Sequence, residues 1–126
     1  MGRSPAFCIA LAAVALGMVA CAGKPAAVSF KGQVQPVLTK YCVECHKPGT
    51  PGFAASGFGV ESYASLMKGT RYGPVVIPGD PLASNLQVLI EGRASPAIKM
   101  PHSDKTMKPE EVQVLRTWIE QGARDN

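Results

Sequence analysis

Apolar residues recur at helical spacing in three stretches and run almost without interruption through a fourth. Phe30, Val34, Val37, Leu38 and Tyr41 fall on one face of a helix, as do Leu82, Leu86, Leu89 and Ile90. Val112, Leu115 and Ile119 form a third stripe, with Trp118 at its edge. Local signals punctuate these stretches. Ser29 suits the cap of a first helix ending near Tyr41, and Pro36 predicts a kink or the helix's true start. Residues 61–68 read as a short helix stopped by Gly69. Asp80 and Pro81 suit the start of the next helix, and Gly92 its end. The last helix runs from Pro109 to Gly122, with Glu110 and Glu111 at its positive end. Residues 48–59 hold two prolines and four glycines and are expected to be loop. Residues 71–79 read as extended or irregular, and Val75, Val76 and Ile77 pack either on a cofactor face or on the protein core, the core being preferred. No periodicity marks residues 92–108. No strand alternation and no repeat competes, so the expected fold is all-α: about four short helices joined by long Gly/Pro-rich loops.

The fourth stretch is different in kind. Arg3 precedes the apolar run of residues 6–19, and small residues follow, which is the layout of an export signal. The run falls short of the roughly 20 apolar residues a membrane span requires. Met18-Val19-Ala20-Cys21 resembles a bacterial lipobox, in which Cys21 becomes the lipidated first residue. The competing site is Ala20-Cys21-Ala22, an A-x-A pattern with cleavage before Gly23 and a soluble product. The lipobox is preferred, because a cysteine at that place has little other use. The expected division is therefore a signal peptide over 1–20, a tether over 21–28 and one domain over 29–126. The domain lies on the periplasmic side of the cell envelope, lipid-anchored to a membrane.

Charge narrows the partners. The 126-residue chain carries a formal +4, and losing residues 1–20 removes Arg3 and no acid, leaving +3. This is too mild for a nucleic-acid surface. Of the four cysteines, Cys8 lies in the apolar N-terminal run and Cys21 at its end, so Cys42 and Cys45 remain. They stand in Cys42-Val43-Glu44-Cys45-His46, the Cys-x-x-Cys-His run of c-type haem attachment. Two thiols three positions apart can add across the two vinyl groups at one haem edge, and the following imidazole then reaches the iron. No second cysteine pair completes a zinc site, and no βαβ pattern supports a thioredoxin-like disulfide. One covalent haem c would also staple a chain this small.

The longer pattern resembles a known family. Residues 42–46, Val76-Ile77-Pro78-Gly79-Asp80-Pro81 with Ser84, Met100-Pro101, and Trp118-Ile119 with Gly122-Ala123 follow the order of a single-haem bacterial cytochrome c domain. The likeness covers residues 30–123. It implies an all-α fold whose first and last helices cross near a haem edge, and it implies Met100 as the distal iron ligand. Lys108 departs from the Ser or Thr that relatives often carry there, which predicts a weaker cap for the last helix.

The residues themselves offer four distal candidates, Met67, Met100, Met107 and His102, since a sixth haem ligand is usually Met or His. Met67 lies on a helix, where packing is methionine's ordinary role, and Met107 adjoins another. Met100 and His102 sit in a proline-stiffened loop. Met100 is preferred; His102 or an open position are the alternatives. Iron held by His46 and Met100 has no vacant site and changes charge with little rearrangement. The expected function is one-electron transfer between redox partner proteins of the periplasm or membrane, with no catalytic residue. Two other readings are a five-coordinate haem that senses or transforms carbon monoxide, nitric oxide or peroxide, and an electron-exit subunit of a larger oxidoreductase. Lys40, Lys47, Lys99 and Lys105 flank the ligand segments, either as a ring that steers an acidic partner or as solvated loop charge.

Overall fold

A computed structural model describes residues 25–102 and 104–126. The expected lipidation site, Cys21, and the export segment lie outside these residues. Among the described residues five α-helices follow one another: α1 (Gln35–Tyr41), α2 (Pro51–Ser56), α3 (Tyr63–Lys68), α4 (Asn85–Ile90) and α5 (Pro109–Glu120). Among the described residues there is no strand, only an isolated bridge between Thr70 and Gly73. No helix there is long and apolar enough to cross a membrane.

Ser29 caps the chain's first helical segment as expected, its hydroxyl accepting from the Gly32 amide at 3.0 Å. A wide π-helical turn over Phe30–Val34 then leads into α1, with Pro36 in the first turn of α1. Proline has no amide to donate, and its ring crowds the carbonyl four residues back. A widened turn before it accommodates both constraints.

Phe30, Val34 and Leu38 from this segment pack with Leu66 of α3 and with Leu115, Trp118 and Ile119 of α5. Trp118 is only 1% exposed, so it stands in the centre of the α5 interface and not at the edge of its stripe. Its ring lies 5.5 Å from Phe30 and meets Tyr63 edge-on at 6.4 Å. The indole Nε1 donates to the Arg124 carbonyl at 2.9 Å, which satisfies the one polar atom this burial would orphan. The first and last helices are thus locked together. The chain ends reinforce the lock: Phe30 and Lys31 amides donate to Asn126, and the Val28 amide donates to Gln121 Oε1 at 2.7 Å.

Two expectations require correction. Residues 48–59 are not all loop, because Pro51–Ser56 form α2. Pro51 occupies the first helical position and Gly57 stops the helix with φ 75°. Both residues read as breakers in the sequence, yet here they are a start and a stop. None of the α2 residues is buried, so no apolar stripe announced the helix. The helix expected from Asp80 begins instead at Asn85. Asp80 Oδ1 accepts from the amides of Leu82 and Ala83, closing a separate turn. Ser84 then leaves helical geometry and donates from Oγ to the Asp80 carbonyl at 2.7 Å, while accepting from the Ile77 amide at 2.8 Å. Leu82 consequently points outward, 64% exposed, and leaves the stripe it was assigned to.

The ends of α4 and α5 behave as read. Gly92 and Gly122 terminate them, and in each case the following amide reaches back to the carbonyl five residues earlier. At the start of α5, Lys108 offers no acceptor. Only Glu111 contributes, accepting from the Lys108 amide at 3.0 Å, which is the weaker cap expected there.

Candidate haem site

The cysteine motif continues α1 as one more helical turn. The Cys42 amide donates to Leu38 O at 2.8 Å, and the His46 amide donates to Cys42 O at 2.9 Å. This turn sets Cys42, Cys45 and His46 on the wall of one cavity. Three contacts hold it from outside. The Phe53 amide and the Thr50 hydroxyl both donate to Cys45 O, at 3.1 and 2.5 Å, and the Val60 amide donates to His46 O at 3.0 Å. Gly52 makes the approach of α2 possible. A Cβ at that position would lie 2.5 Å from Cys45 O and 3.1 Å from His46 Cε1. Only glycine fits there, and nothing in the sequence pattern marked it.

The cavity measures about 550 Å³, within the range of small-molecule and cofactor sites. Apolar side chains dominate its walls: Phe58, Val75, Leu86, Leu89 and Ile90, with the Tyr41 ring. The α4 residues Leu86, Leu89 and Ile90 that periodicity placed on one face therefore line this cavity. Val75, also assigned to the core, is buried and walls the cavity at once; Val76 is core, and Ile77 is 37% exposed.

Met100 lies on the same cavity. Its amide donates to Leu89 O at 3.2 Å, so the loop carrying it is pinned to α4. The peptide bond between Met100 and Pro101 is cis. Met67 and Met107 pack against the hydrophobic core and do not line the cavity. His102 does line it, with an exposed ring. Four of the residues singled out in the sequence, Cys42, Cys45, His46 and Met100, thus converge on one apolar space together with the alternative His102.

Burial governs the electrostatics of the motif side chains. Burial, and secondarily the Cys45 charge, push the Cys42 thiol up to about 11, so it stays protonated. Burial lowers the His46 pKa, which favours the neutral imidazole that a metal ligand requires; a backbone interaction with Phe58 opposes this in part, and His102 adds to it. His46 Nδ1 is buried without a hydrogen-bond partner. Among the described residues no group of three or more His, Cys, Asp or Glu side chains converges as a metal site. An apolar cavity with a paired-thiol wall, one neutral imidazole and one thioether fits haem c.

Two of the four flanking lysines are ion-paired. Lys40 Nζ lies 2.8 Å from Glu111 Oε1, and Lys105 Nζ lies 2.9 Å from Glu44 Oε2. The Lys40 pair adjoins the cavity wall, because the Tyr41 hydroxyl donates to Glu111 Oε2 at 2.6 Å. These partners reduce the field that a ring of four lysines would project.

Fold and site together define a small all-α, haem-binding domain of the cytochrome c type, whose chemistry is haem-based electron transfer. The family described as planctomycete cytochrome C matches residues 42–104, half of the chain, and the protein belongs to that family. The matched span opens on Cys42 and includes His46 and Met100. No curated protein and no solved structure matches the chain.

Proposed function

We propose that this protein is a one-electron carrier of the bacterial cell envelope. It holds one haem c through thioether bonds at Cys42 and Cys45, with His46 and Met100 as the axial ligands. The observation that carries the reading is the convergence of these four residues on one apolar cavity. A haem bound there supplies an iron that cycles between two charge states. The chain's own residues do the rest. His46 and Met100 would both hold the iron and so keep small molecules from it, and the Met100 thioether would favour the ferrous state and raise the potential. Phe58, Val75, Leu86, Leu89 and Ile90 exclude water, so the change of charge takes place with little solvent rearrangement.

The export signal and Cys21 support a lipid anchor, and redox proteins of the periplasm or membrane as partners. Acylation at one cysteine must add more than one chain to hold the protein stably. The protein is a carrier with no catalytic residue of its own.

The test is a spectrum of the purified holoprotein in both oxidation states, with and without carbon monoxide. A ferric long-wavelength sulphur–iron absorption and a ferrous spectrum indifferent to carbon monoxide are expected. Ready carbon monoxide binding by the wild type would overturn the reading in favour of a sensor or enzyme.

A further inference from the structure

The first and last helices run antiparallel, and a hydrogen bond marks each end of the pair. At one end the Tyr41 hydroxyl donates to Glu111 Oε2 at 2.6 Å. At the other the Val28 amide donates to Gln121 Oε1 at 2.7 Å, and Gln121 Nε2 donates to Ala26 O at 3.1 Å. About 15 Å of helix separates Glu111 from Gln121. The cysteine motif and the cavity rim, with exposed Glu44, Cys45 and His102, adjoin the Tyr41 end. At the Gln121 end a groove of about 580 Å³ opens, lined among others by Pro25, Ala27, Val28, Arg124 and Asn126. Pro25, Ala26 and Ala27 are exposed there. Lys31 and Arg124 stand with Glu120 and Asp125 around this end, so its charge is balanced.

We infer that the Gln121 end is a membrane-facing surface, seated on phospholipid headgroups, with the cavity rim held away from the bilayer; this rests on the haem site and the acylated Cys21 proposed above. Chain length carries the step. Four links of main chain join Cys21 to Pro25, and fully extended they reach about 14 Å. A small domain is about 30 Å across. Acyl chains on Cys21 inserted in a bilayer therefore bring the groove end to the lipid. The tether is too short for the domain to turn over and point its rim at the same surface. The balanced charge suits zwitterionic headgroups, so the anchor and the tether set the orientation without a field from anionic lipid. The orientation also specifies the partner. Electrons pass at the rim to or from a soluble protein, or a domain projecting from the membrane, and not to a site within the bilayer.

The experiment places the mature holoprotein in phosphatidylcholine vesicles that contain a phospholipid with a photoreactive headgroup. Mass spectrometry then maps the labelled residues. Labelling of residues 25–31 and 120–126 is expected, several-fold above that of residues 42–47 and 96–102. Reduction of the haem by a reduced, water-soluble flavoprotein should be as fast on vesicles as in detergent solution. Labelling concentrated at 42–47 or 96–102, or spread evenly over the domain, overturns the inference. A several-fold slower reduction on vesicles does the same, because the rim would then face the bilayer. A mature protein whose mass includes no acyl chains removes instead the anchor reading on which the inference stands.

Discussion

The two sides of the helical core are closed by different means. On one side Phe30, Tyr63 and Trp118 interlock, with Phe30 and Tyr63 rings edge-on at 5.2 Å. Main-chain and side-chain bonds from Asn126 and Gln121 tie the chain ends over them. The three rings are closed by protein contacts, although an open groove of about 580 Å³ lies beside them, lined by Val28, Trp118, Gln121 and Asn126. On the other side, α1, α2 and α4 and three loops surround a space of about 550 Å³ walled by apolar groups. An apolar wall without apolar contents forfeits the packing on one of its sides. The first side therefore stabilises the polypeptide by itself, and the second stabilises it only together with its cofactor.

This difference ranks the consequences of mutation. The largest belongs to the double variant Cys42→Ala/Cys45→Ala, which would remove the proposed covalent attachment while leaving the aromatic side intact. We expect little folded protein, since a domain this small loses its largest apolar component. Acid–acetone extraction of the wild type should leave the colour with the polypeptide. Extractable haem in the wild type, or a well-folded double variant, would show that the cavity side is independently stable.

Trp118→Ala attacks the opposite side. Removing a fully buried tryptophan costs about 3–5 kcal/mol, a large share of the roughly 5–15 kcal/mol total of a typical domain. Denaturant unfolding should move by that amount, while the haem spectrum of the protein that remains folded stays unchanged. A spectral change would mean the two sides are coupled. Gly52→Ala is the reciprocal case and a smaller one. Its methyl group would press on the backbone of the haem motif, and overpacking of this kind costs about 1–3 kcal/mol. Here the spectrum should shift along with stability, because His46 is among the displaced atoms. A stability loss without a spectral shift would show that α2 yields and the motif does not.

The same contrast explains what the sequence made legible. The aromatic side is built from stripes at helical spacing, and Phe30, Val34, Leu38, Leu115 and Ile119 were all readable from periodicity. The four positions proposed to hold the haem were readable because that chemistry restricts residue type and spacing: the motif in one turn, the thioether in a proline-bounded loop. The cavity walls were not. Leu86, Leu89 and Ile90 have the pattern of a core-facing helix, and periodicity cannot tell a protein core from a space shaped for an apolar cofactor. Gly52 serves through a tertiary approach, which leaves no local trace, and α2 was hidden because its proline and glycine signal breakage as readily as boundaries. Asp80 misled for a related reason: its side chain caps a turn well, and the buried Ser84, seven residues after Ile77, decides where the helix begins.

The smallest expected effect lies where the two sides meet, at Glu111 on α5. Its carboxyl is held down at about 2, against an ordinary value near 4.5. Lys40 is the largest cause, followed by the Tyr41 hydroxyl and the Lys108 amide. Because the folded-state value is depressed, the carboxylate stabilises the fold fully above its ordinary value. That contribution is lost as pH falls from about 4.5 to about 2. Solvent reaches the Lys40 side of this cluster, so screening keeps the effect modest. Urea unfolding of wild type and Glu111→Gln across this window provides the measurement. The advantage of the wild type should shrink steadily as the pH drops, and added salt should reduce it at every pH above the window. A difference between the two proteins that stays constant through acid would mean that Glu111 acts here by its shape and hydrogen bonds, and that its charge does not link α5 to the cavity wall.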